Sequence, residues 1–222
     1  MKDALNAEYD AMRAGGFVDR ILSSQRRKMF EAFMLFKQKA AAGSILNLYM
    51  KPTSLFDNSN YLDAWSSPQE RARITSYPLM VPKMQPAAAY RLPFADNAFD
   101  WVFCNEVIEH TGTAERQCVF MGELYRVTRR GIFATTSNRL HPIEFKTGLP
   151  FIHLLPHAWW QRLLAWSGKR EWAQPDMLTL VDAPTLYRLA RQLPAAPQHE
   201  VGHKRVFGIK AHFFLMIQKA DA

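Results

Sequence analysis

Arg91-Leu-Pro-Phe-Ala-Asp-Asn-Ala-Phe-Asp-Trp-Val-Phe-Cys-Asn-Glu-Val-Ile-Glu-His110 is the stretch whose reading decides the fold of this 222-residue chain. Pro93 and the pair Asp96-Asn97 are turn formers, so the chain enters the next segment through a tight bend. Phe99 to Cys104 (FDWVFC) is then an apolar run of strand length, with Phe94 and Phe99 placed to pack beneath it. The strand delivers Asn105, Glu106 and Glu109 to its C-terminal end, with His110 directly after. In open α/β sheets, ligands bind beyond that end of the strands.

Downstream, Ala114 to Val127 has helical period, with Val119, Phe120, Leu124 and Val127 on one side. Gly131 to Thr136 (GIFATT) is the next strand. Upstream, Ser44 to Tyr49 (SILNLY) reads as a buried strand, and Arg71 to Tyr77 alternates with Ala72, Ile74 and Ser76 on one face. Strands alternating with helices imply a parallel sheet with right-handed crossovers. Near the C-terminus, Ala183 to Gln192 is a helix with Asp182 as N-cap and Pro184 in its first turn. Glu200 to Phe207 and His212 to Gln218 come next as strands joined through Gly208, an antiparallel hairpin closing the sheet. At the other end, Phe17 to Ala42 reads as a long helix between Gly15-Gly16 and Gly43, with Val18, Leu22, Met29, Phe33, Phe36 and Ala40 on its apolar side.

The composition is 48% hydrophobic and 13% aromatic, which excludes a disordered chain. Cys104 and Cys118 are too few for a disulfide framework and have no partners at metal-ligand spacing, so no metal site is expected. With 28 basic and 20 acidic residues the formal charge is +8, which favours anionic partners. The basic residues are scattered rather than interleaved with aromatics, so nucleic acid is disfavoured as a partner. The first residues are polar and lack the apolar run of a secretory signal. The apolar segment Pro150 to Trp166 is interrupted by His153, Pro156, His157, Gln161 and Arg162, and cannot span a bilayer. The expected compartment is the cytoplasm, with peripheral contact at the inner face of the membrane as an extension. No G-x-G-x-x-G dinucleotide fingerprint is present.

The central stretch resembles the class I S-adenosylmethionine-dependent methyltransferases, in particular the methyltransferase type 11 group. In that group LPF-x-D-x-x-FD leads into the fourth strand and then an E-H pair, matched here by Leu92, Pro93, Phe94, Asp96, Phe99, Asp100, Glu109 and His110. Phe120, Glu123, Leu124, Arg126 and Val127 match its next helix, and residues 131–136 its fifth strand. The resemblance implies a Rossmann-like three-layer α/β sandwich, with a mostly parallel sheet of about seven strands closed by the C-terminal antiparallel hairpin. It implies a methyltransferase-like domain over 44–222, with 1–43 as a helical segment packing on its core. The implied cofactor is S-adenosylmethionine. The implied cofactor side comprises Asn47, Leu48, Tyr49, Lys51, Thr53, Tyr90, Leu92, Asn105, Glu106, Glu109 and His110.

The sequence departs from the group in three places. Its first strand usually ends in an acid and a glycine-rich loop, which lets the backbone approach the cofactor. Here the loop reads Asn47-Leu-Tyr-Met-Lys-Pro-Thr-Ser54, with Asn47 in the acid's place. The second strand usually ends in a ribose-binding acid, but Thr75-Ser-Tyr-Pro78 has none, and Ala88 stands where an Asp often lies near the adenine. One outcome is a variant site. In it Lys51 pairs with the cofactor carboxylate, Thr53 or Ser54 caps the next helix, and Asp57, Asn58 and Asn60 supply polar contacts. The other is a retained fold that has lost the cofactor and serves as a partner or scaffold subunit.

After the fifth strand, Thr136, Asn138, Arg139, Pro142, Glu144, Leu149, Pro150, His153, Leu155 and Pro156 resemble a branch of the group in which this loop borders the acceptor pocket. The sulfonium is already activated, so the protein mainly aligns an in-line displacement. A base is needed only for an acceptor that must lose a proton, and His141, Glu144 and His153 are the candidates. The expected acceptor is a small molecule, a glycan or a lipid-linked precursor. The aromatic tract Phe151 to Trp166, with Trp159, Trp160 and Trp166, reads first as a helical cover over the pocket. Together with the helix from Phe17 to Ala42, whose polar side carries Arg20, Arg26, Arg27, Lys28, Lys37 and Lys39, it also permits docking on an acidic membrane surface.

Overall fold

The computed structural model describes residues 17–37, 43–50, 60–79, 91–144, 149–151, 155, 157–166 and 179–219. Helix α1 (Phe17–Lys37) is followed by strand β1 (Ile45–Met50), two short helices α2 (Tyr61–Trp65) and α3 (Pro68–Arg71), and strand β2 (Ile74–Leu79). Then come β3 (Phe99–Asn105), a 3₁₀ turn (Ile108–His110), α4 (Ala114–Val127) and β4 (Thr128–Ser137). The two-residue strands β5 (Ile143–Glu144) and β6 (Leu149–Pro150) precede α5 (His157–Trp166), α6 (Ala183–Arg191), β7 (Gln198–Val206) and β8 (Ile209–Gln218).

Six strands form the main sheet in the order β2-β1-β3-β4-β8-β7, while β5 and β6 pair separately. The β1–β2, β1–β3 and β3–β4 pairs are parallel, and the β4–β8 and β7–β8 pairs antiparallel. The expected architecture is therefore present: a largely parallel sheet closed by a C-terminal hairpin. Phe207 and Gly208, both at positive φ, make the two-residue turn of that hairpin, a conformation that matches the twist of its strands. The chain leaves β1 for β2 on one side and returns to β3 on the other. That reversal opens a crevice at the C-terminal ends of β1 and β3.

Period-two alternation divides the core into two layers. Leu46, Leu48, Val102, Cys104, Ile132, Ala134, Leu215 and Ile217 face α4 and α6, which contribute Phe120, Met121, Leu124, Leu186 and Leu189. Ile45, Trp101, Phe103, Phe133 and Phe214 face α1 and α2, which contribute Met29, Phe30, Phe33, Tyr61 and Leu62. Phe33 lies 4.9 Å from Phe103 and 5.6 Å from Phe133, ring centre to ring centre. Thus α1 packs on the sheet, as its apolar periodicity predicts.

Several boundaries differ from the sequence reading, among them the start of β8, which lies at Ile209 and not His212. Residues 38–42, read as helix, lie outside the described residues. Arg71 belongs to α3, not to a strand, because Ser67 caps that helix by accepting from the Glu70 N–H and Pro68 fits its first turn. The strand reaches only Ile74 to Leu79. β4 begins at Thr128, three residues before the expected Gly131, directly from the end of α4.

Candidate active site

At the crevice, Tyr49, Asn105 and Thr135 stand side by side on β1, β3 and β4. Asn105 is buried. Its side-chain oxygen accepts from the Tyr61 hydroxyl at 2.8 Å and from the Thr135 hydroxyl at 2.6 Å. Two residues back on the same face, Phe103 and Phe133 stack at 5.9 Å, and Phe133 stacks at 5.2 Å on Phe214, the β8 partner of Thr135. The polar row therefore rests on a rigid apolar floor, and Asn105 is clamped from two neighbouring elements.

Glu106 leaves β3 with φ +51, a left-handed conformation that is unfavourable for a residue with a Cβ. Its N–H is held by the Thr135 carbonyl at 3.1 Å. Its carboxylate lies 3.6 Å from Nε2 of His212. His212 is buried near the start of β8, opposite Ser137. Burial pushes the His212 pKa below its ordinary value. The Glu106 and Glu109 charges pull it back up, and Arg26 and His141 push it down. Burial thus favours the neutral imidazole. Sequence reasoning missed His212; the available signal was a polar residue two places before Phe214 on the inward face of an otherwise apolar strand.

Glu109 and His110 are buried in the 3₁₀ turn. The Glu109 carbonyl accepts from the Thr179 N–H at 2.7 Å, and Gln117 donates to the Thr179 carbonyl at 3.2 Å. Burial raises the Cys104 thiol pKa well above its usual value, with the nearby Glu109 charge adding to the effect. His141 is buried in the loop after β4, and its charge acts on His212 together with those of Glu106 and Glu109.

On the other side of the crevice, Asn47 is fully buried. Its amide donates to the Asn60 side-chain oxygen at 2.6 Å and to the Ser76 hydroxyl at 3.1 Å. The amide of Asn60 donates to the Asp63 carboxylate at 2.8 Å, and the Ser76 hydroxyl donates to the same carboxylate oxygen. Burial raises the Tyr49 phenol pKa, and the Asp63 charge raises it further. A carboxylate thus stands beside the first two strands after all, carried by α2. β1 itself stays extended through Tyr49 and Met50, which pair with Pro78 and Leu79 of β2. Leu48 faces the opposite core layer.

The bend before β3 is held from α4. The Leu92 N–H donates to Glu123 at 2.9 Å, and Arg126 donates to the Leu92 and Phe94 carbonyls, to Asp96 and to Glu123. After β4, Asn138 donates its amide to the Lys210 carbonyl at 2.7 Å and accepts from the Leu140 N–H at 2.9 Å. Asn138 therefore shapes the loop that carries His141. Lys51, Thr53, Ser54, Asp57, Asn58, Tyr90, Ala88 and His153 lie outside the described residues, as does the Glu144 side chain. Among the described residues, no group of His, Cys, Asp or Glu is arranged to hold a metal ion.

The family model described as a methyltransferase domain matches residues 43–135, from the entry to β1 through the polar row of β4. Over that stretch, which is under half of the chain, the sequence is similar to the methyltransferase type 11 domain. No curated protein matches the chain. Among solved structures, a cyclopropane-fatty-acyl-phospholipid synthase-like protein from Lactobacillus casei is similar over 99% of this chain and 100% of its own, at 14% identity and a TM-score of 0.52. A SAM-dependent methyltransferase from Thermotoga maritima is similar over 88% of this chain and 89% of its own, at 13% identity and a TM-score of 0.45. The first of these likenesses supports the fold of the methyltransferase and nothing finer.

Proposed function

We propose that this protein binds S-adenosylmethionine at the β1–β3 crevice and passes its methyl group by in-line displacement to a small-molecule, glycan or lipid-linked acceptor. The observation that carries the reading is the pair of carboxylates flanking the polar row, Asp63 on one side and Glu106 on the other. Both are partly accessible, and both suit a ligand that combines sugar hydroxyls with a positive charge. When bound, the cofactor supplies a methyl group already activated on a sulfonium.

Asp63, pre-oriented by Asn60 and Ser76, accepts sugar hydroxyls in place of the acid that β2 lacks. Asn105 keeps the floor of the crevice in one geometry, since its oxygen is fixed by two hydroxyl donors. Glu106 presents negative charge at the edge, with His212 behind it. For an acceptor that must lose a proton, Glu106 at the end of β3 is a candidate base, with His141 as another on the loop after β4. Leu92, Glu109 and His110 support this arrangement from behind. Lys51, Thr53 and Tyr90 remain assigned to the cofactor side by resemblance.

A second reading is a partner subunit that no longer binds the cofactor. The extended course of β1 through Met50, where relatives turn on glycine, favours it. Isothermal titration calorimetry of the full chain with S-adenosylhomocysteine separates the two. Heat with a micromolar Kd supports the enzyme, and Asp63→Asn then weakens binding by about tenfold or more, the loss of one charge-assisted hydrogen bond. Absence of heat at millimolar ligand leaves the partner subunit.

A further inference from the structure

We infer that the outer face of α5, together with the exposed Phe151 and Leu155 that precede it, forms a docking surface for an anionic phospholipid bilayer. On α5, successive side chains turn by about 100°. Trp159, Leu163 and Trp166 therefore share one arc, with Arg162 at its margin and Leu164 on the far side. The exposures match this arrangement: Trp159 is 64% exposed, Leu163 37% and Trp166 87%, while Leu164 is fully buried. The helix thus has apolar residues on both its inner and its outer face. The inner ones are used by the fold. The outer face holds two tryptophans in water, which a helix serving only as a cover has no reason to do.

Phe151 and Leu155 are exposed ahead of the helix, and Leu140 is exposed in the turn after β4. The Phe151 N–H donates to the Pro142 carbonyl at 2.7 Å, which ties this stretch to the loop carrying His141. Phe151 is thereby fixed to the chain segment that follows β4.

Charge selects the occupant. The outer arc contains Arg162 and no acid, and Arg139 is exposed next to Leu140. The whole chain carries +8. Tryptophan is favoured at the boundary between an apolar and an aqueous phase, and arginine beside it keeps its head among phosphates. An anionic bilayer meets both requirements, whereas a purely apolar protein groove would leave the positive charge unused. No described helix is long and apolar enough to cross a membrane, so the contact is with one leaflet. The inference rests on the methyltransferase reading only in giving the surface a use, which is to bring a lipid-linked acceptor to the crevice.

Co-sedimentation of the full chain with vesicles tests it. Phosphatidylcholine vesicles containing about 30% phosphatidylglycerol are compared with phosphatidylcholine alone, at low and high salt. Binding to the anionic vesicles is expected, with a fall of about tenfold in the double variant Trp159→Ser/Trp166→Ser and a smaller fall in Arg162→Gln. Absence of binding overturns the inference, as does binding that the double variant leaves unchanged. A concentration-dependent dimer abolished by the same double variant also overturns it, because a second copy then covers the face. Calorimetry with S-adenosylhomocysteine on the same preparations is expected to give equal Kd values for wild type and double variant. Failure of vesicle binding is thereby kept apart from failure of the cofactor reading.

Discussion

The side-chain amide of Asn47 donates to the side-chain oxygen of Asn60 at 2.6 Å, across the gap between β1 and the start of α2. Asn60 in turn donates to Asp63, so the three residues hand hydrogen bonds from the strand to a carboxylate on the helix. An acid at position 47 would add a second negative charge to the network that holds Asp63 and would lose both donated bonds. Asn47→Asp is therefore expected to destabilise the fold by about 1–3 kcal/mol, the penalty for a buried polar group deprived of its partner. Adding Asp63→Asn should recover part of that loss, because one of the two like charges is then gone. Urea denaturation of both single variants and the double variant measures the coupling; strict additivity would contradict the network.

Arg126 holds the bend that aims β3. Its guanidinium reaches two carbonyls, of Leu92 and Phe94, and two carboxylates, of Glu123 and Asp96. The paired hydrogen bonds raise its pKa further, and the same contacts push Glu123 below the usual carboxylate range. A lysine cannot reproduce this planar fork. Arg126→Lys is expected to lose about 2 kcal/mol of stability in denaturant titration, and Arg126→Met at least as much. If Arg126→Lys matches wild type, the fork contributes only charge.

The frame of this fold is legible because it is written in local period. The helix from Ala114 to Val127 matches residue for residue, and Asp182 caps α6 by accepting from the Thr185 N–H, as its position before Pro184 suggests. β3 and β8 are visible as apolar runs. The site is less legible because its chemistry is assembled across the chain. Asp63 lies on a five-residue helix with too few turns to show a period, and it meets Ser76 only after β1 and β2 pair. His212 is separated from Glu106 by more than a hundred residues, and only the antiparallel pairing of β8 with β4 brings them together. The missing strand acids are plain in the sequence, but the carboxylate that α2 brings beside them is a tertiary fact.

His212 makes stability depend on pH. Its pKa in the folded protein is depressed, first by burial, while in the unfolded chain it lies near the ordinary 6.5. The unfolded chain therefore binds more protons as pH falls below that value, and stability falls with it. The contribution is complete above the ordinary imidazole range and is lost on acidification through the folded pKa. The charges of Glu106, Glu109, Arg26 and His141 act on the ring and modulate the effect. Thermal melts between about pH 7.5 and 5.5 should show Tm falling on acidification. In His212→Gln that slope should be shallower. An unchanged slope would place the titration on another group.

Glu106 separates stability from ligand binding. Holding a residue with a Cβ at φ +51 costs about 1–2 kcal/mol relative to glycine. Such strain is retained where the side chain is needed in place. Glu106→Gly removes the strain together with the carboxylate beside His212. The expected result is a Tm equal to or above that of wild type, with binding of S-adenosylhomocysteine weakened by about tenfold or more in calorimetry, the loss of one charge-assisted contact. Glu106→Gln keeps the backbone conformation and the side-chain shape but not the charge. It should lose binding without gaining stability. If Glu106→Gly gains stability and binds the ligand as well as wild type, the left-handed residue after β3 serves the turn alone, and the carboxylate has no part in the site.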